Sequence, residues 1–169
     1  TNQFPLSTFA ISDDFSVSAF GFTNGSTILV RGNLLNDKGA RQRIIYESSG
    51  EPITGAHLFL SSPTSGYYLY VLTTSKILLF DTTGRNQNTP LNVLENTHGS
   101  NLFCNDILSS NSNLISCDSN GNSIDFYNSK FGKVNSIKTT KQLNQNRLFN
   151  FNDKYLLMVS SMDNSFTKS

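Results

Sequence analysis

Gly21 to Gly32 reads GFTNGSTILVRG, Val71 to Thr82 reads VLTTSKILLFDT, and Ser116 to Asn128 reads SCDSNGNSIDFYN. Each stretch holds a turn of small or polar residues, then an apolar strand, then a polar exit. Asn24-Gly25 and Asn120-Gly121 suit tight hairpin turns, because Asn and Gly tolerate the positive φ values such turns need. With Ser75 aligned to Gly25 and Gly121, the three turns fall 50 and then 46 residues apart. Short apolar runs extend outward from each turn. The first round comprises Phe15 to Gly21, with Phe15, Val17 and Ala19 on one face, then Ser26 to Arg31 and Gln42 to Glu47. The second comprises Ile53 to Leu60, Tyr67 to Leu72, Lys76 to Asp81 and Leu91 to Glu95. Leu102 to Leu108, Asn113 to Cys117, Ser123 to Asn128 and Lys133 to Thr139 make a third. Arg147 to Phe151 and Lys154 to Ser160 begin a fourth.

A four-stranded unit recurring every 40–50 residues or so is the pattern of a propeller blade. The expected fold is all-β: a WD-like β-propeller without the Gly-His and Trp-Asp signature, since the chain has no Trp. The blades are expected at about residues 5–50, 51–96 and 101–141, with an incomplete one at 142–169, about three and a half in all. An open arc would leave apolar faces and sheet edges unpaired. The 169 residues are therefore expected to be part of a larger ring, and a chain starting at Thr1 rather than Met fits a piece of something longer.

Composition supports strands over helices. Ala, the best helix former, occurs only four times, while Ser and Asn, which compete for backbone hydrogen bonds, are abundant. Thirteen basic against twelve acidic residues leave a net charge of +1, which gives nucleic acid no electrostatic hold as the main partner. The 13 Phe and 6 Tyr argue against wholesale disorder. No apolar run approaches the roughly 18 residues of a membrane span, and the first residues lack the basic and apolar regions of a signal peptide.

Arg31, Lys38, Arg41 and Arg43 place four positive charges within 13 residues. The period of two puts Arg41 and Arg43 on one strand face, with Arg31 and Lys38 on the preceding strand and loop. They form a candidate patch for an anion or an acidic partner. The plainer reading, which the sequence favours, is a solvated outer strand whose charges block edge pairing. Asp118 to Asp125 (DSNGNSID) resembles a calcium loop, but Gly121 falls between the second and third ligands and no acid stands at the twelfth position. A hairpin turn is preferred there, and no metal is assigned. His57 and His98 stand apart without neighbours at ligand spacing. Cys104 and Cys117 lie on adjacent expected strands and read as reduced thiols. Asp81-Thr82-Thr83-Gly84-Arg85 lacks the Lys and following helix of a phosphate loop and reads as a turn. Asp13-Asp14 reads as a solvated turn. The chain contains no catalytic motif, so no enzyme activity, cofactor or small-molecule substrate is expected.

The stretch Gly21 to Gly55, followed by Thr73 to Asn86, resembles the N-terminal propeller of the vacuolar protein sorting-associated protein 11 family, closest to its fungal members. Gly21, Phe22, Asn24, Gly25, Arg31, Gly32, Pro52, Ile53 and Thr54 fit the family pattern, and Asn33 stands where the family has Asp. The specific likeness covers roughly residues 5 to 90; beyond Asn101 it rests on strand pattern. The resemblance implies a non-enzymatic scaffold in a core subunit of the HOPS and CORVET tethering complexes, supporting vesicle docking and fusion and protein transport to the vacuole. It implies a cytoplasmic protein held peripherally on late endosome and vacuole or lysosome membranes. Implied partners are other HOPS and CORVET subunits, with Rab-bound assemblies, SNAREs and acidic membrane surfaces as further candidates. The family's C-terminal RING, linked to ubiquitin-ligase activity, has no counterpart in these residues. A propeller of another trafficking or coat scaffold is the alternative, and a metal-dependent lectin-like propeller a weaker one.

Overall fold

The computed structural model describes residues 4–32, 39–47, 50–60, 64, 66–83, 88–95, 104–108, 114–119, 123–128, 131–138, 143–151 and 154–161. Among these, all regular structure is strand. Two compact units divide the chain, Thr1–Glu95 and Asn96–Ser169.

In the first unit, β1 (Leu6–Ile11), β2 (Val17–Phe22), β3 (Thr27–Arg31) and β4 (Arg41–Tyr46) form one antiparallel meander in that order. A second meander follows with β5 (Ile53–Leu60), β6 (Tyr67–Thr73), β7 (Lys76–Asp81) and β8 (Asn92–Glu95). The Asn24-Gly25 hairpin forms as its residues dictate. Gly25 takes φ 85°, its N–H donates to the Phe22 carbonyl at 3.0 Å, and Asn24 Oδ1 accepts from the Ser26 N–H and hydroxyl.

Strand β1 is absent from the sequence reading, which began the first round at Phe15. Phe15 lies outside β2 in a left-handed conformation, φ 59°, with its side chain half exposed. It belongs to a turn built on Asp14, whose Oδ1 accepts from the Ser12 hydroxyl, the Ser16 N–H and the Ser16 hydroxyl. Those bonds hold the Asp14 carboxyl down at about 2, the Ser16 hydroxyl contributing most. This acid fixes the turn into β2; solvation alone does not account for it.

Alternation then decides what each sheet buries. On one face of the first sheet, Ala10, Ala19 and Leu29 lie in register, and Val17 joins them in the core. This face packs on the second sheet's Leu58, Leu69, Val71, Leu78 and Phe80, with the Tyr46 and Phe80 rings 6.0 Å apart. Gly21 permits the approach: a Cβ there would lie 2.5 Å from Ile53 Cγ2 and 2.9 Å from Thr8 Cγ2.

In the second unit, β9 (Cys104–Leu108), β10 (Leu114–Ser119), β11 (Ser123–Tyr127) and β12 (Lys133–Lys138) make a third four-stranded meander, and β13 (Leu143–Phe151) pairs with β14 (Lys154–Ser161). Strand β13 begins four residues before the expected Arg147, its polar start LNQN offering no strand pattern. Asp125, 4% exposed, is satisfied by Lys133 Nζ at 3.1 Å and the Ser136 hydroxyl at 2.6 Å.

Candidate anion groove between the first two sheets

The register of β3 on β4 sets Arg31 directly opposite Arg41, and Leu29 opposite Arg43. Side chains at alternate positions share a face, so all three arginines stand on the side of the first sheet that carries Leu29 and packs on the second. Strand β4 is the last in its sheet, and Arg41 and Arg43 lie on its face toward the neighbouring sheet.

The second sheet meets them with Thr82, immediately after β7. Thr82 is fully buried. Its N–H and hydroxyl both donate to the Tyr67 carbonyl, at 3.1 Å and 2.6 Å. Its remaining acceptors face the arginines: Arg31 Nη2 donates to Thr82 Oγ1 at 3.2 Å, and Arg43 Nη2 reaches the Thr82 carbonyl at 3.5 Å. Beyond it, Asp81 Oδ1 accepts from the Thr83 N–H and hydroxyl. That is the turn the sequence expected at Asp81-Thr82-Thr83; Gly84 and Arg85 lie outside the described residues.

Leu29, Arg31, Arg41, Gln42, Arg43, Thr82 and Thr83 line an open groove of about 420 Å³. Arg43 is partly buried, while Arg31 and Arg41 are exposed. Burial and, after it, the Arg31 charge push the Arg43 guanidinium below the usual arginine range, opposed by Asp81. Among the described residues, the ion pairs are Lys76–Glu95 and Lys133–Asp125, and neither involves these arginines. Three guanidinium groups therefore line one groove, and among the described residues Asp81 is the acid that bears on Arg43. Lys38, the fourth residue of the expected patch, lies outside the described residues.

The remaining sequence candidates divide the same way. His57 sits on β5 opposite Tyr70, and His98 lies outside the described residues. The backbone pairs Cys104 with Cys117 across β9 and β10; their side chains, and Asn120 to Asn122 of the suggested calcium loop, are outside the description. Asp125 of that loop is committed to Lys133 and Ser136. No group of three or more metal-ligating side chains occurs among the described residues.

The groove lies between two neighbouring blades, and the comparisons with known proteins concern both the blades and the family. The family described as PEP5/VPS11 N-terminal matches residues 1–169. The chain belongs to that family. Within it, the chain is 30% identical over 102 residues to the vacuolar protein sorting-associated protein 11 homolog of Dictyostelium discoideum, covering 58% of this chain and 11% of that protein. It is 35% identical over 101 residues to the Pep5-like zinc finger protein C16A10.03c of Schizosaccharomyces pombe, covering 60% and 11%. The matched stretch is thus about a tenth of each relative's length. Among solved structures, BamB from Moraxella catarrhalis superposes with a TM-score of 0.59 at 14% identity, covering 94% of this chain and 45% of that one. The Neurospora crassa Pan2 WD40 domain gives 0.51 at 14% identity, covering 85% and 41%. These likenesses establish the β-propeller fold for this PEP5/VPS11 N-terminal chain.

Sequence reasoning missed Thr82 and Leu29 as parts of the groove. A signal existed: the 50-residue offset between hairpins places Gly32 and Thr82 at the same end of their sheets. Joining them needs the packing of one sheet on the next, which strand periodicity does not contain.

Proposed function

We propose that this chain is a non-enzymatic scaffold propeller in a subunit of a vacuolar sorting complex, acting in the tethering that precedes vesicle docking and fusion. The observation that carries the reading is the family match along residues 1–169. The family relative from Dictyostelium is named for vacuolar protein sorting. On this reading the protein is cytoplasmic and sits peripherally on late endosome and vacuole membranes. HOPS and CORVET subunits would be its partners, and Rab-bound assemblies, SNAREs and acidic membrane surfaces would meet it in the assembled complex. Among the described residues no helix is long and apolar enough to cross a membrane.

Stacked blades would fix contact surfaces in space, with affinity drawn from a few exposed groups. The groove of Arg31, Arg41 and Arg43 is the contact proposed here for an acidic partner. The blades would belong to a larger ring, whose further blades cover the apolar outer face of the first sheet, where Phe9, Ile11 and Ile44 are exposed. The test is purification of the full-length protein from its own cells, with tagged wild type beside the double variant Arg41→Glu, Arg43→Glu. Wild type should bring down the other tethering subunits, and the variant should lose one or more of them. Recovery of no tethering subunit with wild type would sink the complex assignment. An unchanged set with the variant, together with unchanged binding to acidic liposomes, would remove the groove from it.

A further inference from the structure

Three guanidinium groups line one groove, and among the described residues Asp81 is the acid that bears on Arg43. Among the described residues the local balance is three positive charges against one negative, an excess of about two. A carboxylate would offset half of that excess, whereas a phosphate monoester, close to doubly charged at neutral pH, matches it. The donors suit the same group. Arg31 and Arg43 each spend one Nη on Thr82, and no other side-chain hydrogen bond of theirs occurs among the described residues. Arg41 makes no hydrogen bond or ion pair among the described residues. Guanidinium forks recognise phosphate oxygens in pairs, with planar geometry that Lys cannot supply.

We propose that this groove binds a phosphate monoester carried on a side chain of a partner protein. The floor, Leu29 and Thr82, is buried while Arg31 and Arg41 stand at the rim, a shape that admits one projecting group. A bilayer is drawn in by summed positive charge over a broad surface, and a chain with net charge +1 offers little of that. Holding the dianion relieves the repulsion among the arginines, so its affinity draws on a cost the free protein already bears. The inference rests on reading the groove as a partner contact, but titration of a small probe tests it without the tethering complex. Failure of one therefore leaves the other to its own experiment.

The experiment titrates the full-length protein into fluorescein-labelled Gly-Gly-phosphoserine-Gly-Gly and follows anisotropy. Saturable binding is expected, weakened roughly tenfold or more by Arg41→Gln and by replacing phosphoserine with Asp in the peptide. Lys76→Gln, which removes the same charge away from the groove, should leave binding unchanged. Because the Arg41 side chain holds no hydrogen bond or ion pair among the described residues, the thermal midpoint of Arg41→Gln should stay at the wild-type value, which separates lost binding from lost folding. Equal affinity for the Asp peptide would overturn the phosphate assignment, and undiminished binding by Arg41→Gln would overturn the site. Absent peptide binding beside Arg41-dependent sedimentation with phosphatidylinositol-phosphate vesicles would move the phosphate onto a lipid and overturn the protein partner.

Discussion

The first and second sheets follow the same path through matching registers, so their positions can be compared one by one. Across the first sheet run Phe9, Phe20, Ile28 and Ile44; across the second, in the same places, run Ala56, Val71, Leu78 and Val93. The next row sets Ile11, Ser18 and Val30 beside Leu58, Leu69 and Phe80. In the second sheet this face meets the first, and Leu69, Val71 and Phe80 are fully buried. In the first sheet the equivalent face is more open, with Phe9 60% and Ile11 41% exposed. Ser18 stands where the second sheet has Leu69, and its buried hydroxyl has no partner among the described residues. Identical topology thus accompanies a buried face in one sheet and a more exposed one in the other.

Deleting side chains from the two faces should separate them sharply. Leu58→Ala removes a buried contact and should cost about 2–5 kcal/mol. Its counterpart Ile11→Ala, at a side chain 41% exposed, should cost less than about 1.5 kcal/mol. Urea unfolding of the 169-residue chain reads both. The comparison sharpens in the full-length protein: if another blade covers the first sheet there, the cost of Ile11→Ala rises toward that of Leu58→Ala. A cost that stays low in the full-length protein would mean the face is left open.

A smaller effect is expected where the two sheets touch. Gly21→Ala drives a methyl group into Ile53 and Thr8, and such overpacking costs about 1–3 kcal/mol. Gly55→Ala is the contrasting case, since its Cβ would meet Leu72 at 3.6 Å, an ordinary contact. Thermal midpoints should fall for the first and hold for the second. Equal shifts would argue against the close approach at Gly21.

Most of this architecture was legible in the sequence for a definite reason. Where apolar residues face the core and small or polar residues mark the turn, as in β2, β3, β6 and β7, period and punctuation coincide. Strand β1 inverts that rule. Its buried-side positions carry small residues, Thr8 and Ala10, while Phe9 and Ile11 point away from the core, so no half-buried strand announces itself in LSTFAI. The candidate site was half legible. The period of two put Arg41 and Arg43 together, but the facing direction of β4 follows from sheet-on-sheet packing. Arg31 joins them through the register of β3 on β4.

The turn into β2 gives a pH-dependent entry in the same comparison. The Asp14 carboxyl is held at about 2, below its ordinary 3.8, so the folded state favours the charged form. Its contribution is fully present above the ordinary value and is lost as pH falls through the folded one. Between about pH 4 and pH 2 the wild type should therefore lose stability that Asp14→Asn lacks throughout. Replacement itself should cost under about 1 kcal/mol at neutral pH, as expected for screened turn bonds. Parallel acid-unfolding curves for the two proteins would show that the turn does not titrate.

The smallest expected effect is also the one of unusual sign. At the equivalent place in the two sheets stand Arg31, after the aliphatic run of β3, and Asp81, after that of β7. The acid of the second sheet lies close to the arginines of the first. One acid cannot compensate three arginines, and Arg43 is already pushed down by burial and by Arg31. Neutralising Arg41, which makes no bond among the described residues, removes repulsion and sacrifices no described contact. Arg41→Gln should accordingly leave stability unchanged or raise it by up to about 0.5 kcal/mol, with the gain shrinking as added salt screens the charges. Asp81→Asn should do the reverse, lowering stability by removing a compensating charge while its amide oxygen still accepts in the Thr83 turn. Chemical unfolding at low and high salt measures both signs. If Arg41→Gln proves clearly destabilising, the guanidinium has a partner in the folded protein and the groove is not an uncompensated one.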